Sequence, residues 1–312
     1  MRATLDKALL AAGIDRIVLI TGESGTGKDY LARYIHTNSK RSSGPFYSVN
    51  CAAIPPDLAE SELFGHEAGA FSGATRRKRG LVELAEGGTL LLNEIGELST
   101  GLQAKLLTFL DTYSFTRVGG EKTITVSARI MAATNRNLDK EVATGRFRQD
   151  LFYRLNVFSI EVPPLRERSE DIPFLVRQIL NQLTEEMRLP EKPEIDLVDM
   201  DSLLRYSWQG NVRELRNVLE RATILSKGRY LRFDVPVSHE LEAPSGLWTI
   251  HFPPRPSLTE AITDMRRKLV QEALRYSGGN KVGASRLLGI SRYTLRRQMR
   301  ALGMDGRMPP DY

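Results

Sequence analysis

Short apolar runs, each closed by glycine or polar residues, alternate with stretches of helical periodicity along the first half of the chain. The runs lie at 17–20, 46–50, 87–94, 126–135 and 158–162, rich in Val, Ile, Leu and Phe and too short for buried helices, so they predict strands. Between them, apolar residues recur at helical spacing: Leu5, Ala8, Leu9 and Ala12 in 1–13, then segments from Lys28 to about 39, through 60–63, at 101–112, and at 145–154, the last carrying Arg148 and Arg154. A hairpin-like piece surrounds 117–121. Strand and helix in alternation predict an α/β fold with an open, mostly parallel sheet and a ligand at the strand C-termini. From 172 to 227 the period is helical throughout, a small all-α lid broken at Gly210 and restarted with Asn211 as N-cap. Residues 237–257 hold Pro244, Gly246, Pro253, Pro254 and Pro256 without any period and read as a linker. A helix from 258 to about 276 stops at Gly278-Gly279. A short helix over 280–288, a turn at Gly289-Ile290-Ser291 and a helix to 302 then make a helix-turn-helix, with Ala284, Leu287, Leu288, Ile290, Leu295 and Met299 as its apolar seam. The predicted organisation is an α/β subdomain over 1–167, a lid over 168–236, the linker, and a DNA-binding domain over 258–312.

At 312 residues and 41% hydrophobic content the chain suits a globular protein of two or three domains. No apolar run reaches the length of a membrane span, and Asp6, Lys7, Asp15 and Arg16 interrupt any signal-peptide layout, so no membrane role and a cytoplasmic location are expected. The single cysteine, Cys51, excludes an internal disulfide and a cysteine metal cluster. His239 and His251 have no spaced partners and read as solvated. Charge changes the picture more: residues 255–312 hold 12 of the 44 Lys and Arg but only 5 of the 38 Asp and Glu. The basic excess is confined to the tail, which points to an anionic partner for that segment alone.

The first strand empties into Gly22-Glu23-Ser24-Gly25-Thr26-Gly27-Lys28-Asp29, which opens a helix. Glycines let successive N–H groups turn around an anion, the helix N-terminus adds partial positive charge, and Lys28 reaches terminal phosphates, so the ligand is a nucleoside triphosphate with Mg²⁺. Asp29 stands where Ser or Thr usually gives a hydroxyl to the metal. The strand at 87–94 ends in Asn93 and Glu94. In P-loop ATPases such a strand delivers one acid to the metal and another to the attacking water. Glu94 suits the general base, whereas Asn93 keeps an acceptor oxygen without the charge, and its hold on Mg²⁺ is weaker. Thr134 and Asn135 close the next buried strand and are placed beside the γ-phosphate. Arg213 falls in the first turn of a lid helix, unfavourable for the helix dipole and suited to phosphate. The loop Gly69-Ala70-Phe71-Ser72-Gly73-Ala74 sets an aromatic among small residues, followed by Arg76, Arg77, Lys78 and Arg79; it either presents its tip to a partner or is merely flexible. In the tail, six basic residues and no acid lie between Lys281 and Arg300. Lys281, Ser291, Arg292, Tyr293, Arg296 and Arg297 are the candidate DNA contacts.

Taken together, Gly22-Glu-Ser-Gly-Thr-Gly-Lys-Asp29, Glu62-Leu-Phe-Gly-His-Glu67, Gly69-Ala-Phe-Ser-Gly-Ala74, Phe152-Tyr-Arg-Leu-Asn-Val157, Pro163-Pro-Leu-Arg-Glu-Arg168, Gly210-Asn-Val-Arg-Glu-Leu215 and the C-terminal helix-turn-helix resemble the bacterial enhancer-binding proteins. These are activators of sigma-54 RNA polymerase built on an AAA+ P-loop NTPase module with a Fis-type DNA-binding domain. The resemblance implies a ring, usually a hexamer, of this chain alone or with a related activator, holding ATP between subunits, with sigma-54 RNA polymerase and double-stranded enhancer DNA as partners. It implies that Lys28 and the loop glycines hold phosphate, that Glu94 activates water, and that Asn135 and Arg213 sense the nucleotide. Arg148 and Arg154 correspond to arginines acting on a neighbouring subunit, and Asn50 to the asparagine that relays nucleotide state to Glu94. Residues Gly69 to Ala74 correspond to the sigma-54 contact, with Phe71 at the tip. Ser72 departs from the usual Thr and Asn93 from the usual Asp, and an N-terminal regulatory domain is expected to be lacking. Asn93 leaves a second reading open, a weakly hydrolysing, ATP-binding and DNA-binding subunit that assists a competent partner.

Overall fold

A computed structural model describes residues 1–195, 197–225, 231, 258–277, 280–302 and 304; the linker at 237–257, with His239 and His251, and Gly278-Gly279 lie outside the described residues. The chain divides into two compact units, Met1–Ser238 and His239–Tyr312.

Helix α1 (Arg2–Gly13) leads into β1 (Val18–Thr21), then α2 (Lys28–Thr37), β2 (Phe46–Asn50) and α3 (Pro56–Phe64). The two-residue strands β3 (Gly65–His66) and β4 (Lys78–Arg79), which pair antiparallel, flank the small-residue loop and are followed by α4 (Leu81–Leu84). Next come β5 (Thr89–Asn93), α5 (Thr100–Thr112), the antiparallel pair β6 (Ser114–Thr116) and β7 (Thr123–Thr125), β8 (Arg129–Thr134), α6 (Leu138–Ala143), α7 (Gln149–Leu155) and β9 (Ser159–Glu161).

Five strands form one sheet in the order β2-β5-β8-β1-β9, every neighbouring pair parallel. Parallel crossovers place helices on both faces, which is why the central strands β1, β5 and β8 are buried at nearly every position rather than at alternate ones. Val18, Ile20, Leu91, Met131 and Ala133 meet Ala8, Ala11, Ala12, Leu31 and Ile35 of α1 and α2. Leu19, Leu90, Leu92, Ile130 and Ala132 point the other way, onto Leu63, Phe64, Leu106, Phe109 and Leu151 of α3, α5 and α7. Each of the Val, Leu, Ile, Phe and Met side chains withdrawn from water contributes about 1.5–3 kcal/mol before chain entropy is charged against it. The polar residues that end β1, β5 and β8 therefore gather at one rim of the sheet.

The lid comprises α8 (Ile172–Glu186), α9 (Leu197–Arg205) and α10 (Asn211–Leu225) around the fully buried Trp208, whose indole N–H donates to the Leu203 carbonyl at 2.8 Å. The helical period is not continuous across 172–227: Pro190 and Pro193 lie between α8 and α9, where proline supplies no N–H. Nor does the segment at 145–154 form one helix. Gly145 takes φ +73° after α6, and Arg148 is extended and caps α7, its N–H given to Gln103 Oε1 at 2.8 Å.

In the second unit, α11 (Leu258–Tyr276), α12 (Lys281–Leu287) and α13 (Arg292–Ala301) enclose Val270, Ala273, Leu274, Ala284, Leu295 and Met299. Asn280 caps α12, and Ser291 caps α13 by accepting the Thr294 N–H at 3.0 Å. Of the residues expected in the apolar seam, Leu288 and Ile290 pack against this core, whereas Leu287 is 65% exposed. Among the described residues no helix is long and apolar enough to cross a membrane.

Candidate functional site

A cavity of about 630 Å³ opens at the C-terminal rim of the sheet, lined by Ser24 to Asp29 of the loop after β1, by Asn93 and Glu94, and by Leu175, Ile179, Val212, Arg213 and Arg216 of the lid. Met1 and Leu5 add to its apolar wall. The loop is shaped by three glycines at positive φ, Gly22, Gly25 and Gly27. At Gly25 a side chain is excluded for a second reason, because a Cβ there meets the Gly210 carbonyl at 2.3 Å.

Lys28 is 5% exposed, and its ammonium donates to the carbonyls of Gly22 at 2.9 Å and Glu23 at 3.1 Å. Burial lowers its pKa, opposed by the nearby Glu94 and Asp29 carboxylates. A partly desolvated cation at the N-terminus of α2 favours an anionic ligand.

Glu94 adopts φ +53°, unusual for a residue with a side chain and the kind of local strain found at working sites. Its carboxylate accepts the Asn135 N–H at 3.1 Å and lies 3.8 Å from Lys28 Nζ. Asn135 thus touches Glu94 through its backbone. Asn50 neighbours Asn93 in the sheet, but its side chain accepts the Ala52 N–H at 3.1 Å. Asn93 donates from Nδ2 to Asp29 at 2.8 Å and accepts the Glu94 N–H at 3.1 Å, and Ser48 donates to the other Asp29 oxygen at 3.1 Å. Carboxylate oxygens, a lysine and turned amides in one cavity form a donor set that suits a triphosphate with a hard divalent cation.

Arg213 faces the cavity and donates to Ser24 Oγ at 2.9 Å. Gly22 and Glu23, counted with the loop, do not line the cavity. The Glu23 carboxylate is paired with Arg166 at 2.6 Å and accepts from Asn211 at 3.0 Å, and these contacts, Arg166 first, hold its pKa down to about 2.

Asn211 is not a side-chain cap. It is fully buried at φ +55°, with Nδ2 donating to Glu23 and to the Ser24 carbonyl and Oδ1 accepting the Leu165 N–H at 2.7 Å. Val212 N–H completes the seam by donating to the Gly25 carbonyl at 3.0 Å. This latch between the loop and the lid escaped sequence reasoning, as did Arg168, which is 4% exposed and donates to the Thr26 carbonyl at 2.8 Å. The polar runs Pro163 to Arg168 and Gly210 to Leu215 were its signal: arginine and asparagine beside apolar residues that had to be buried.

Arg148 and Arg154 stand apart from the cavity. Arg148 pairs with Asp150 at 2.7 Å, and Arg154 donates to the Leu110 carbonyl at 2.7 Å and faces Asp111 at 3.1 Å. The small-residue loop is folded on itself: Gly69 N–H donates to the Ala74 carbonyl at 2.7 Å and Ala74 N–H to Phe71 at 3.0 Å, with Ser72 and Gly73 exposed at its tip. Phe71 is 39% exposed and meets the His66 ring edge-on at 5.0 Å, while Gly119 packs on Ala70. Beneath it, buried Arg117 joins Glu67 at 2.6 Å and Glu83 at 2.7 Å. In the second unit Lys281, Arg292, Tyr293, Arg296 and Arg297 are exposed, Tyr293 at 79%, whereas the Ser291 hydroxyl is engaged in capping α13.

Three family descriptions match the chain: the sigma-54 interaction domain over 1–161, an AAA+ ATPase lid domain over 166–243, and the bacterial regulatory protein, Fis family, over 262–302. The regulatory protein AtoC of Escherichia coli (strain K12) is 46% identical over 291 residues, covering 92% of this chain and 63% of AtoC. The Nif-specific regulatory protein of Klebsiella pneumoniae is 45% identical over 295 residues, covering 93% of this chain and 55% of that protein. The crystal structure of NtrX from Brucella abortus in complex with ATP superposes with a TM-score of 0.68 at 35% identity, covering 97% of this chain and 67% of that one. The chain spans 55% to 63% of the length of AtoC and the Klebsiella regulator.

Proposed function

The chain belongs to the sigma-54 activator family with an AAA+ module and a Fis-type helix-turn-helix, and on that premise we propose that it is a cytoplasmic, DNA-binding ATPase that assembles into a ring, a hexamer or a mixed oligomer with a related activator, and remodels sigma-54 RNA polymerase. One observation carries the catalytic half of this reading: phosphate loop, Glu94 and Arg213 line a single cavity closed by the lid.

In this reading ATP places its phosphates against the N–H groups of Gly25, Thr26, Gly27 and Lys28 and beside the Lys28 ammonium. Asp29 and Asn93 lie where they would hold Mg²⁺, which would offset the charge of the phosphates. Water attacks the γ-phosphorus, the bond to the β-phosphate oxygen breaks, and Glu94 accepts the proton that the water loses. Glu94 must first exchange its contact with the Asn135 N–H, and in this reading Asn135 and Asn50 couple that exchange to the state of the nucleotide. Arg213 reports the ligand to the lid, and the Gly25 contact with Val212 makes lid and phosphate loop move together. Arg148 and Arg154 act on a neighbouring subunit's nucleotide after releasing Asp150 and Asp111. The loop Gly69 to Ala74 meets sigma-54, its small residues and Phe71 supported by Arg117. Lys281, Arg292, Tyr293, Arg296 and Arg297 contact enhancer DNA, with Ser291 setting the start of the recognition helix.

Asn93 favours the second reading, a weakly hydrolysing subunit that supports a competent partner, because it brings an amide where a charge would serve the metal. Steady-state ATP hydrolysis across a protein concentration series separates the two. Activity rising cooperatively with concentration, and absent in Lys28→Ala, supports the ring ATPase. Nucleotide binding without turnover at any concentration refutes it in favour of the partner subunit.

A further inference from the structure

Arg148 is fixed in the fold through its backbone. Its guanidinium is exposed and pairs with Asp150, whereas its N–H donates to Gln103 Oε1 at 2.8 Å. Gln103, early in α5, is fully buried, and both of its amide hydrogens are also engaged: Nε2 donates to the Leu98 carbonyl at 2.8 Å and to the Arg146 carbonyl at 3.0 Å. Turned over, the amide would set oxygen against two carbonyls and NH₂ against an N–H, so a single orientation is selected. Leu98 closes the short 3₁₀ turn Ile95–Glu97 that Glu94 opens. One buried side chain thus ties the turn at Glu94 to the residues on either side of Phe147, which is itself buried in the core. A second, more exposed route runs beside it: Glu97 pairs with Arg136 at 2.6 Å, and Glu141 meets Arg136 at 3.4 Å and Arg146 at 2.7 Å. Water screens that route, and the buried amide is the stiffer of the two.

We propose that Gln103 is the positioning residue for Arg148: it holds the start of α7 at a fixed offset from the turn at Glu94, so that each subunit aims its Arg148 according to the state of its own site. This rests on the reading of Arg148 as acting on a neighbouring subunit's nucleotide. A buried glutamine that only stabilised the core could take any carbonyl within reach. Gln103 instead bonds backbone groups of the two segments that carry Glu94 and Arg148, the second 45 positions away. Position matters at such a site, because a charge displaced by about 1 Å from its working place costs about a hundredfold in rate. Arg154 is tied to the far end of the same helix, through the Leu110 carbonyl and Asp111, so α5 joins both arginines to the turn at Glu94.

The test is steady-state ATP hydrolysis by mixed oligomers of the full chain. Gln103→Met keeps the side-chain length and makes none of the three bonds. Its kcat is expected to fall about ten- to a hundredfold, with KM for ATP within about twofold of the parent, because its own phosphate loop is untouched. Lys28→Ala is inactive for want of nucleotide but carries an intact Arg148. Mixed in equal amounts, Lys28→Ala subunits lend that arginine to nucleotide held by Gln103→Met neighbours, and turnover rises at least about fivefold above either variant alone. Arg148→Ala mixed with Lys28→Ala is the control and recovers in the same way. If Gln103→Met does not melt cooperatively, Gln103→Glu, which keeps an oxygen for the Arg148 N–H, takes its place under the same criterion. Parental turnover in the position-103 variant, or a loss that the mixture does not recover while the Arg148→Ala control does, overturns the assignment and leaves the reading of Arg148 standing. Failure of the control to recover, parental turnover in Arg148→Ala, or a parent chain without turnover overturns that reading and the assignment with it.

Discussion

Replacing Asn211 with alanine tests whether the join between lid and phosphate loop depends on one buried side chain. The change strands the Leu165 N–H, now bonded at 2.7 Å in a site with no exposure, and an unpaired buried donor costs about 1–3 kcal/mol. It also removes the bond to the Ser24 carbonyl, a further ~0.5–1.5 kcal/mol. The contact with Glu23 adds little, since that carboxylate is 43% exposed and screened by water. Finally, Asn211 sits at φ +55°, where a Cβ-bearing residue without a polar side chain is strained by about 1 kcal/mol. The sum is about 2.5–5.5 kcal/mol for Asn211→Ala and about 1 kcal/mol less for Asn211→Gly, which tolerates the backbone angle but makes none of the bonds. Urea unfolding followed by fluorescence suits the measurement. Trp208 is fully buried and its carbonyl accepts the Asn211 N–H at 2.8 Å, so it reports the lid directly once Trp248, the second tryptophan, is replaced by Phe. An Asn211→Ala protein within about 1 kcal/mol of the parent, or a glycine variant no more stable than the alanine one, refutes the reasoning.

Two further outcomes follow from the same kind of argument. His36 is 4% exposed and bonded to Thr89 Oγ1 at 2.9 Å, and burial, then Arg33 and Arg129, lower its pKa below the ordinary 6.5. The unfolded chain therefore binds the proton first, stability falls as pH drops through 6.5 toward the lowered folded value, and a His36→Gln protein should show a flatter melting temperature between about pH 7.5 and about pH 5.5. In the second unit, Leu295 is fully buried in a small core, so Leu295→Ala costs about 2–5 kcal/mol. DNA binding by fluorescence anisotropy should be lost while ADP binding by the first unit persists, and parallel loss of both would show that the two units do not fold separately.

Much of this protein is legible in its sequence because the responsible forces are local or periodic. Apolar runs such as Leu90 to Leu92 must be buried on both faces, and the strands they predict are the strands observed. Glycines 22, 25 and 27 announce a backbone that turns around an anion, and Asn280 and Ser291 announce helix starts by satisfying N–H groups a few residues ahead. The residues that carry the proposed chemistry, such as Lys28, Glu94 and the basic side chains of α13, are visible for the same reason. What the sequence could not decide was partnership across distance. Asn211 looked like a cap because only its neighbours were in view; the fold instead brings it to Glu23, a separation of 188 positions, and spends its side chain on the seam. Leu287 and Leu288 both fitted the helical stripe, but only Leu288 packs on the core, and Leu287 is 65% exposed. Asn93 and Asp29 lie 64 positions apart, and each alone looks like a defect in a metal site. Only the sheet order, which sets β5 beside β8 and close to the start of α2, makes them one hydrogen-bonded pair, because a hydrogen bond depends on distance in space and sequence spacing holds no record of it.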